Sequence, residues 1–343
     1  MRYYLGVDMG GTKVAAHGID LEGKPLECDW RVVDALVSEG PRRTVSQMIV
    51  ALQAVMDAAG IGWDDVAAVG LDTPGPADID GTLHYSANLH SQPEWQGFGI
   101  RAALETAIGD LIGRPMQVTY DNDGNAAAHW EAHLLDPKGE KIVVLLAPGT
   151  GIGGGVVVHG DLLRGARGMA AELGHIRIPH NPFLKGMGIL QCGCGKLGCA
   201  EAYASKAALE NNLLPQILRR PEYADHPLQS IPDPAKRAYE VRTLAGNGDS
   251  LCRKLFLYQA ERLGELGVQV ANVLDPSVIV IGGGFIEGTP ELTEAVMERI
   301  RDSFKREAFA KHGDPALGVE IVTASSGDRA GALGAALSAM KAH

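Results

Sequence analysis

Residues 3–19 read YYLGVDMGGTKVAAHGI, and residues 142–158 read IVVLLAPGTGIGGGVVV. Each is an apolar run, a glycine corner carrying a small hydroxyl residue, and a second apolar run. The second stretch also contains G-x-G-x-x-G, at Gly149, Gly151 and Gly154. A dinucleotide-binding fold needs a helix after those glycines. Here the β-branched run VVV follows, which favours a strand. The reading is therefore strand, corner, strand, twice in one chain, a weak duplication at the scale of a domain.

Each hairpin opens a series of alternating elements. Val45, Met48, Ile49, Leu52, Val55, Met56 and Ala59 recur at helical spacing and predict an amphipathic helix. Strands are predicted at 66–71, ending at TPGP, and at 116–120, ending at DNDGN. An earlier strand is predicted over 28–33. In the second half PSVIVIGGG predicts a buried strand with a third glycine corner, VEIVTA another strand, and 329–340 a closing helix. Strands and helices in alternation indicate an α/β protein with mixed sheets. The stretch 211–250 holds five prolines, at 215, 221, 227, 232 and 234, and reads as a surface elaboration of helices with irregular connections.

The glycine corners suit phosphate, because a chain without Cβ atoms brings backbone N–H groups close to an anion. In DMGGTK, Thr12 adds a donor, Lys13 a charge, and Asp8 an oxygen ligand for magnesium. A plain hairpin turn is the alternative for any one corner. Three corners at the ends of buried strands point to one nucleotide. DNDGN places Asp121, Asn122, Asp123 and Asn125 ahead of an alanine-rich helix. A helix N-cap, worth about 1 kcal/mol, accounts for Asp123 or Asn125 but not for all four. Phosphoryl transfer to a hydroxyl wants a carboxylate that accepts its proton, and amides beside it bind sugar hydroxyls. Asn88, in SANLH, is a further amide in a predicted loop, or simply a turn residue.

Three of the five cysteines, Cys192, Cys194 and Cys199, fall within eight residues among glycines. Three thiolates with one imidazole make a closed tetrahedral zinc site, structural because no position stays open. His175 and His180 are both candidates for the fourth ligand. The clustered thiols fit an intracellular metal site better than a disulfide framework. The chain has 343 residues, enough for about two domains. Its 31 basic and 42 acidic residues argue against a nucleic-acid-binding surface. There is no apolar run of membrane-spanning length, nor a signal-like start, so a cytoplasmic location is expected.

DMGGTK, TPGP, ANL, DNDGN, PGTGIGGG, AAELGH, CGCGKLGCAEAYAS and VIVIGGG occur in the order seen in the ROK family of repressors and sugar kinases. The chain resembles that family over nearly its whole length, and its ATP-dependent bacterial glucokinases most. The resemblance implies an actin-like, hexokinase-type ATPase fold, with two α/β domains around a cleft. Their expected extents are 1–121 with 329–343, and 122–328 carrying the zinc knuckle. It implies Asp123 as the base toward the sugar 6-hydroxyl, and Asn88, Asn122, Glu172, His175 and Glu201 as sugar ligands. It also implies Asp8, Gly10, Gly11, Thr12 and Lys13 as the first phosphate loop, and Thr150 and Gly151 as the second. Gly282 and Gly283 would lie near the adenosine. His175, Cys192, Cys194 and Cys199 would hold structural Zn2+, with ATP and Mg2+ as the other cofactors and a homodimer or homotetramer as the assembly. The chain departs from the family pattern at Asp121, Gly124 and Ala171, where Glu, Ala and Gly are usual, and after Asn88 and in 211–250, where it runs longer. An N-acetylhexosamine or fructose kinase is the nearest alternative, and polyphosphate the alternative donor. A non-catalytic sugar-binding regulator is the alternative of another class; with seven residues before Asp8 there is no room for the helix-turn-helix of the family's repressors.

Overall fold

The computed structural model describes residues 2–343 other than 76, 85–92, 315 and 317, so Asn88 lies outside the described residues. Ten strands are described: β1 (Tyr3–Met9), β2 (Lys13–Ile19), β3 (Arg31–Asp34), β4 (Val66–Thr73), β5 (Val118–Asn122), β6 (Ile142–Pro148), β7 (Ile152–Val158), β8 (Asp161–Leu162), β9 (Val278–Ile281) and β10 (Glu320–Thr323). Helices over the same residues are α1 (Pro41–Ala59), α2 (Ile100–Ile112), α3 (Asp123–Leu135), α4 (Glu201–Ala204), α5 (Lys206–Ala208), α6 (Leu214–Ile217), α7 (Pro234–Gly246), α8 (Ser250–Leu274), α9 (Pro290–Glu307) and α10 (Ala330–Ala342). The two sheets have the orders β3-β2-β1-β4-β5 and β8-β7-β6-β9-β10. In each, a hairpin is followed on its far side by two strands that pair in parallel. The duplication suggested by the two glycine hairpins is thus a duplication of sheet topology.

The chain divides into two compact units, one of Met1–Glu140, Gly155–Ala171 and Ser325–His343, the other of Lys141–Gly154 and Glu172–Ala324. In the first unit, Val45, Met48, Leu52, Val55 and Met56 of α1 are buried with Leu5, Val7 and Met9 of β1 and Ile100, Leu104 and Ile108 of α2. The other side of β1 and β4 is covered by α10. A Cβ on Gly6 or Gly70 would overlap the α10 backbone, and one on Gly334 of α10 would overlap Ala126 of α3. This backbone-to-backbone approach explains why α10 is built from alanine and glycine. In the second unit, α8 starts with Asp249 as its cap, the carboxylate accepting from the Cys252 N–H at 2.8 Å.

Two local expectations need correction. Strand β5 runs on to Asn122, which is extended and caps α3, its Oδ1 accepting from the Gly124 N–H at 3.0 Å. The cap is therefore neither Asp123 nor Asn125. The stretch 211–250 is not only a surface elaboration, since α7 contributes Ala238, Tyr239 and Arg242 to the wall of a cavity.

Candidate active site

In the first unit, register brings three acids into a row: Asp8 of β1 lies opposite Asp72 of β4, and Asp72 opposite Asp121 of β5. Side chains at paired positions share a face of the sheet. Asp72 is fully buried and neither of its oxygens receives a hydrogen bond from the described groups. Burial, then the charges of Asp8 and Asp123, push its carboxyl well above the usual range, and burial raises Asp8 as well. Asp8 and Asp72, adjacent carboxyls on one face of the sheet, offer the oxygen ligands that Mg2+ takes. Beside them the first glycine corner is closed by the Gly10 N–H donating to Lys13 O at 2.8 Å, with Thr12 and Lys13 exposed.

Asp121 and Asp123 differ sharply in setting. Asp121 is buried and gripped by Arg164, whose Nε and terminal nitrogen donate to its two oxygens at 2.7 and 3.0 Å. Asp123 is exposed at the first turn of α3, and its carboxylate accepts from the Gly124 N–H at 2.7 Å. Asn122 has its carbonyl on the cap and its amide 3.4 Å from Gly75 O.

In the second unit, Glu172 and His175 stand on one short turn, with the His175 N–H donating to Glu172 O. The ligand atoms of His175, Cys192, Cys194 and Cys199 all lie within 4.8 Å of one another. Cys192 Sγ is 3.6 Å from His175 Nδ1, and Cys194 Sγ is 3.8 Å from Cys199 Sγ. A tetrahedron with bonds of about 2.3 Å to sulfur has edges close to these values. The donor set therefore fits zinc. His180 is engaged elsewhere, its Nδ1 at the Tyr203 hydroxyl and its Nε2 at Met187 O. Glu201 reaches from α4 to the second glycine corner, where Oε2 accepts from the Ile152 N–H at 2.9 Å, and its Oε1 faces the Cys192 thiol at 3.4 Å. A Cβ on Gly151 would overlap that carboxylate, which would have to shift to make room.

The second and third corners meet: Gly283 has a positive φ of 69°, and a Cβ there would lie 2.6 Å from Pro148 O. Next to them is a cavity of about 280 Å³. Gly149, Thr150 and Gly284 form part of its wall; Gly282 and Gly283 are not among the residues that line it. Leu209, Ala238, Phe256 and Phe285 make its apolar lining, with the two phenylalanine rings stacked at 5.0 Å. Its size and mixed lining suit a small organic ligand.

The ROK family model matches residues 4–342. The chain belongs to the ROK family. This ROK protein is 30% identical over 337 residues to a glucokinase of Streptomyces coelicolor, covering 97% of the chain and 96% of that relative. An N-acetyl-D-glucosamine kinase of Citrobacter koseri is 31% identical, with 97% and 98% covered. Among solved structures, a ROK hexokinase from Thermus thermophilus superposes with a TM-score of 0.74 at 34% identity, covering 99% of this chain and 98% of that one. A Streptomyces griseus ROK glucokinase in complex with glucose and AMPPNP gives 0.73 at 31% identity, with 99% of each chain covered. The fold is the α/β fold of these hexokinase-type ROK kinases, and the named relatives are sugar kinases.

Arg164, Asp72 and most of the cavity wall were not among the residues the motifs singled out. Asp72 had a legible signal, an acid inside the apolar strand VAAVGLDT. Arg164 had none, since its partner is 43 residues away.

Proposed function

We propose that this protein transfers the γ-phosphoryl group of ATP to the 6-hydroxyl of a hexose, glucose first, giving the sugar 6-phosphate and ADP. The observation that carries the reading is the contrast at DNDGN: Asp121 is committed to Arg164, and Asp123 is the exposed carboxylate. Asp123 takes the hydroxyl proton as the oxygen attacks the γ-phosphorus, and the bond to the bridging oxygen of ADP breaks. Asn88, Asn122, Glu172, His175 and Glu201 hold and orient the sugar hydroxyls. His175 can do so through Nε2, because its Nδ1 faces Cys192.

The glycine corners with Asp8, Gly10, Gly11, Thr12 and Lys13, and with Thr150 and Gly151, take the phosphates. The cavity beside Gly284 takes the base, with Gly282 and Gly283 supporting it. Mg2+ at Asp8 would neutralise phosphate charge. Zn2+ on His175 and the three cysteines would keep Cys192 a thiolate and so leave Glu201 Oε1 to accept from a sugar hydroxyl. Under this reading the enzyme works in the cytoplasm as a dimer or tetramer, and its two units are the two domains of the kinase.

A second reading, an N-acetylhexosamine kinase, is favoured by the N-acetyl-D-glucosamine kinase relative. Turnover with ATP on glucose, N-acetylglucosamine, N-acetylmannosamine and fructose decides between them. Glucose preferred by kcat/KM supports the first reading, and an N-acetyl sugar preferred supports the second. No turnover on any of them, with sugar bound, leaves a non-catalytic regulator. Metal analysis of the reduced protein should find about one zinc per chain, lost in Cys194→Ser.

A further inference from the structure

Lys206 belongs to none of the motifs described above, yet it lines the cavity with Gly149 and Thr150. Its backbone is fixed to the second glycine corner. The Lys206 N–H donates to Gly149 O at 2.8 Å and the Ala207 N–H to Thr150 O at 3.0 Å. Ser205 closes the turn, its Oγ accepting from the Ala208 N–H, and Gln259 holds Ser205 O at 2.8 Å. The lysine stem therefore starts from a rigid point beside Thr150.

The charges of the cavity are unevenly matched. Its charged side chains are Lys206, Arg242 and Glu287. Arg242 donates to Gly284 O at 2.6 Å and faces Glu287 at 3.5 Å. Among the described residues the Lys206 ammonium has no such acid partner. The lining is also mixed in character, with Leu209, Phe256 and Phe285 apolar and Thr150, Lys206, Arg242 and Gln259 polar. A ligand with an apolar ring and an anionic chain matches both kinds of group.

Resting on the proposed reading of this cavity as the nucleotide's, we infer that Lys206 binds the phosphate chain of the nucleotide donor. A compact ammonium on a flexible stem suits that task. Calorimetry with adenosine and with ADP, on the wild type and on Lys206→Met, tests this without turnover. Lys206→Met should weaken ADP by about 10–100-fold, the range for a hydrogen bond to a charged group. Adenosine should bind within about two-fold of wild type, and Lys206→Arg should recover most of the ADP affinity. Equal losses for adenosine and ADP would show a wall residue and overturn the assignment, as would no loss for either. A wild type with this Lys206 dependence but no sugar kinase activity would retire the kinase reading and leave the assignment standing. A wild type that binds no ADP would end both.

Discussion

Replacing Arg164 with methionine leaves the Asp121 carboxylate buried, its side chain 2% exposed, without its bidentate partner. Removing one member of a buried ion pair costs about 3–5 kcal/mol. The Arg164 side chain is 37% exposed, so solvent screens part of the pair, and about 2–3 kcal/mol is expected. For a unit of this size that lowers Tm by about 4–12 °C. The partner variant, Asp121→Asn, loses less, because the guanidinium can turn to water. A double-mutant cycle should return a coupling of about 1–2 kcal/mol. Thermal unfolding followed by circular dichroism, with kcat measured on the same samples, reads both consequences. Turnover should stay within about ten-fold of wild type in either variant, below the range for loss of a general base. An unchanged Tm in Arg164→Met would refute the structural role. A hundred-fold loss of kcat in Asp121→Asn at normal Tm would move the base from Asp123 to Asp121.

Glu265 is held up to about 7 by burial, against the opposing charge of Arg262. The folded protein thus keeps a proton that the unfolded chain releases, and stability falls as pH rises from about 4.5 to 7, by up to about 2–3 kcal/mol. Glu265→Gln should flatten that fall in urea unfolding at pH 5 and 8; parallel curves for both proteins would sink the explanation. Ala171 adopts a positive φ of 66°, a conformation that costs an L-residue about 1–2 kcal/mol relative to glycine. Ala171→Gly should therefore raise stability by about 1 kcal/mol, and an unchanged or lower midpoint would contradict it.

What could be read in the sequence was local. Both glycine hairpins, the α1 face and the cysteine knuckle follow from spacing over fewer than twenty residues, and the structure has them. Residue spacing left His175 and His180 both open as the fourth ligand and the family resemblance favoured His175; in the structure both His180 nitrogens are engaged with Tyr203 and Met187. The role of Asn122 as cap escaped because four polar residues in DNDGN compete for it, and the strand's end decides. The fit of α10 against Gly6 and Gly70, the Arg164–Asp121 grip and the cavity wall join residues far apart in the chain. No periodicity encodes such pairings. The proline-rich composition of 211–250 concealed that Tyr239 and Arg242 face a cavity, since composition reports solvent contact and not what a helix packs beside.

Asp123 as the base of an ATP-dependent hexose kinase is tested by glucose-dependent release of ADP, measured on the wild type and on Asp123→Asn. The wild type should turn over, with glucose 6-phosphate as product. In Asp123→Asn kcat should be lower by at least about 10²-fold, the lower end of what a positioned base contributes. Calorimetric glucose binding should persist in the variant, because the amide can still hydrogen-bond the 6-hydroxyl. Near-normal turnover in Asp123→Asn would rule out Asp123 as the base.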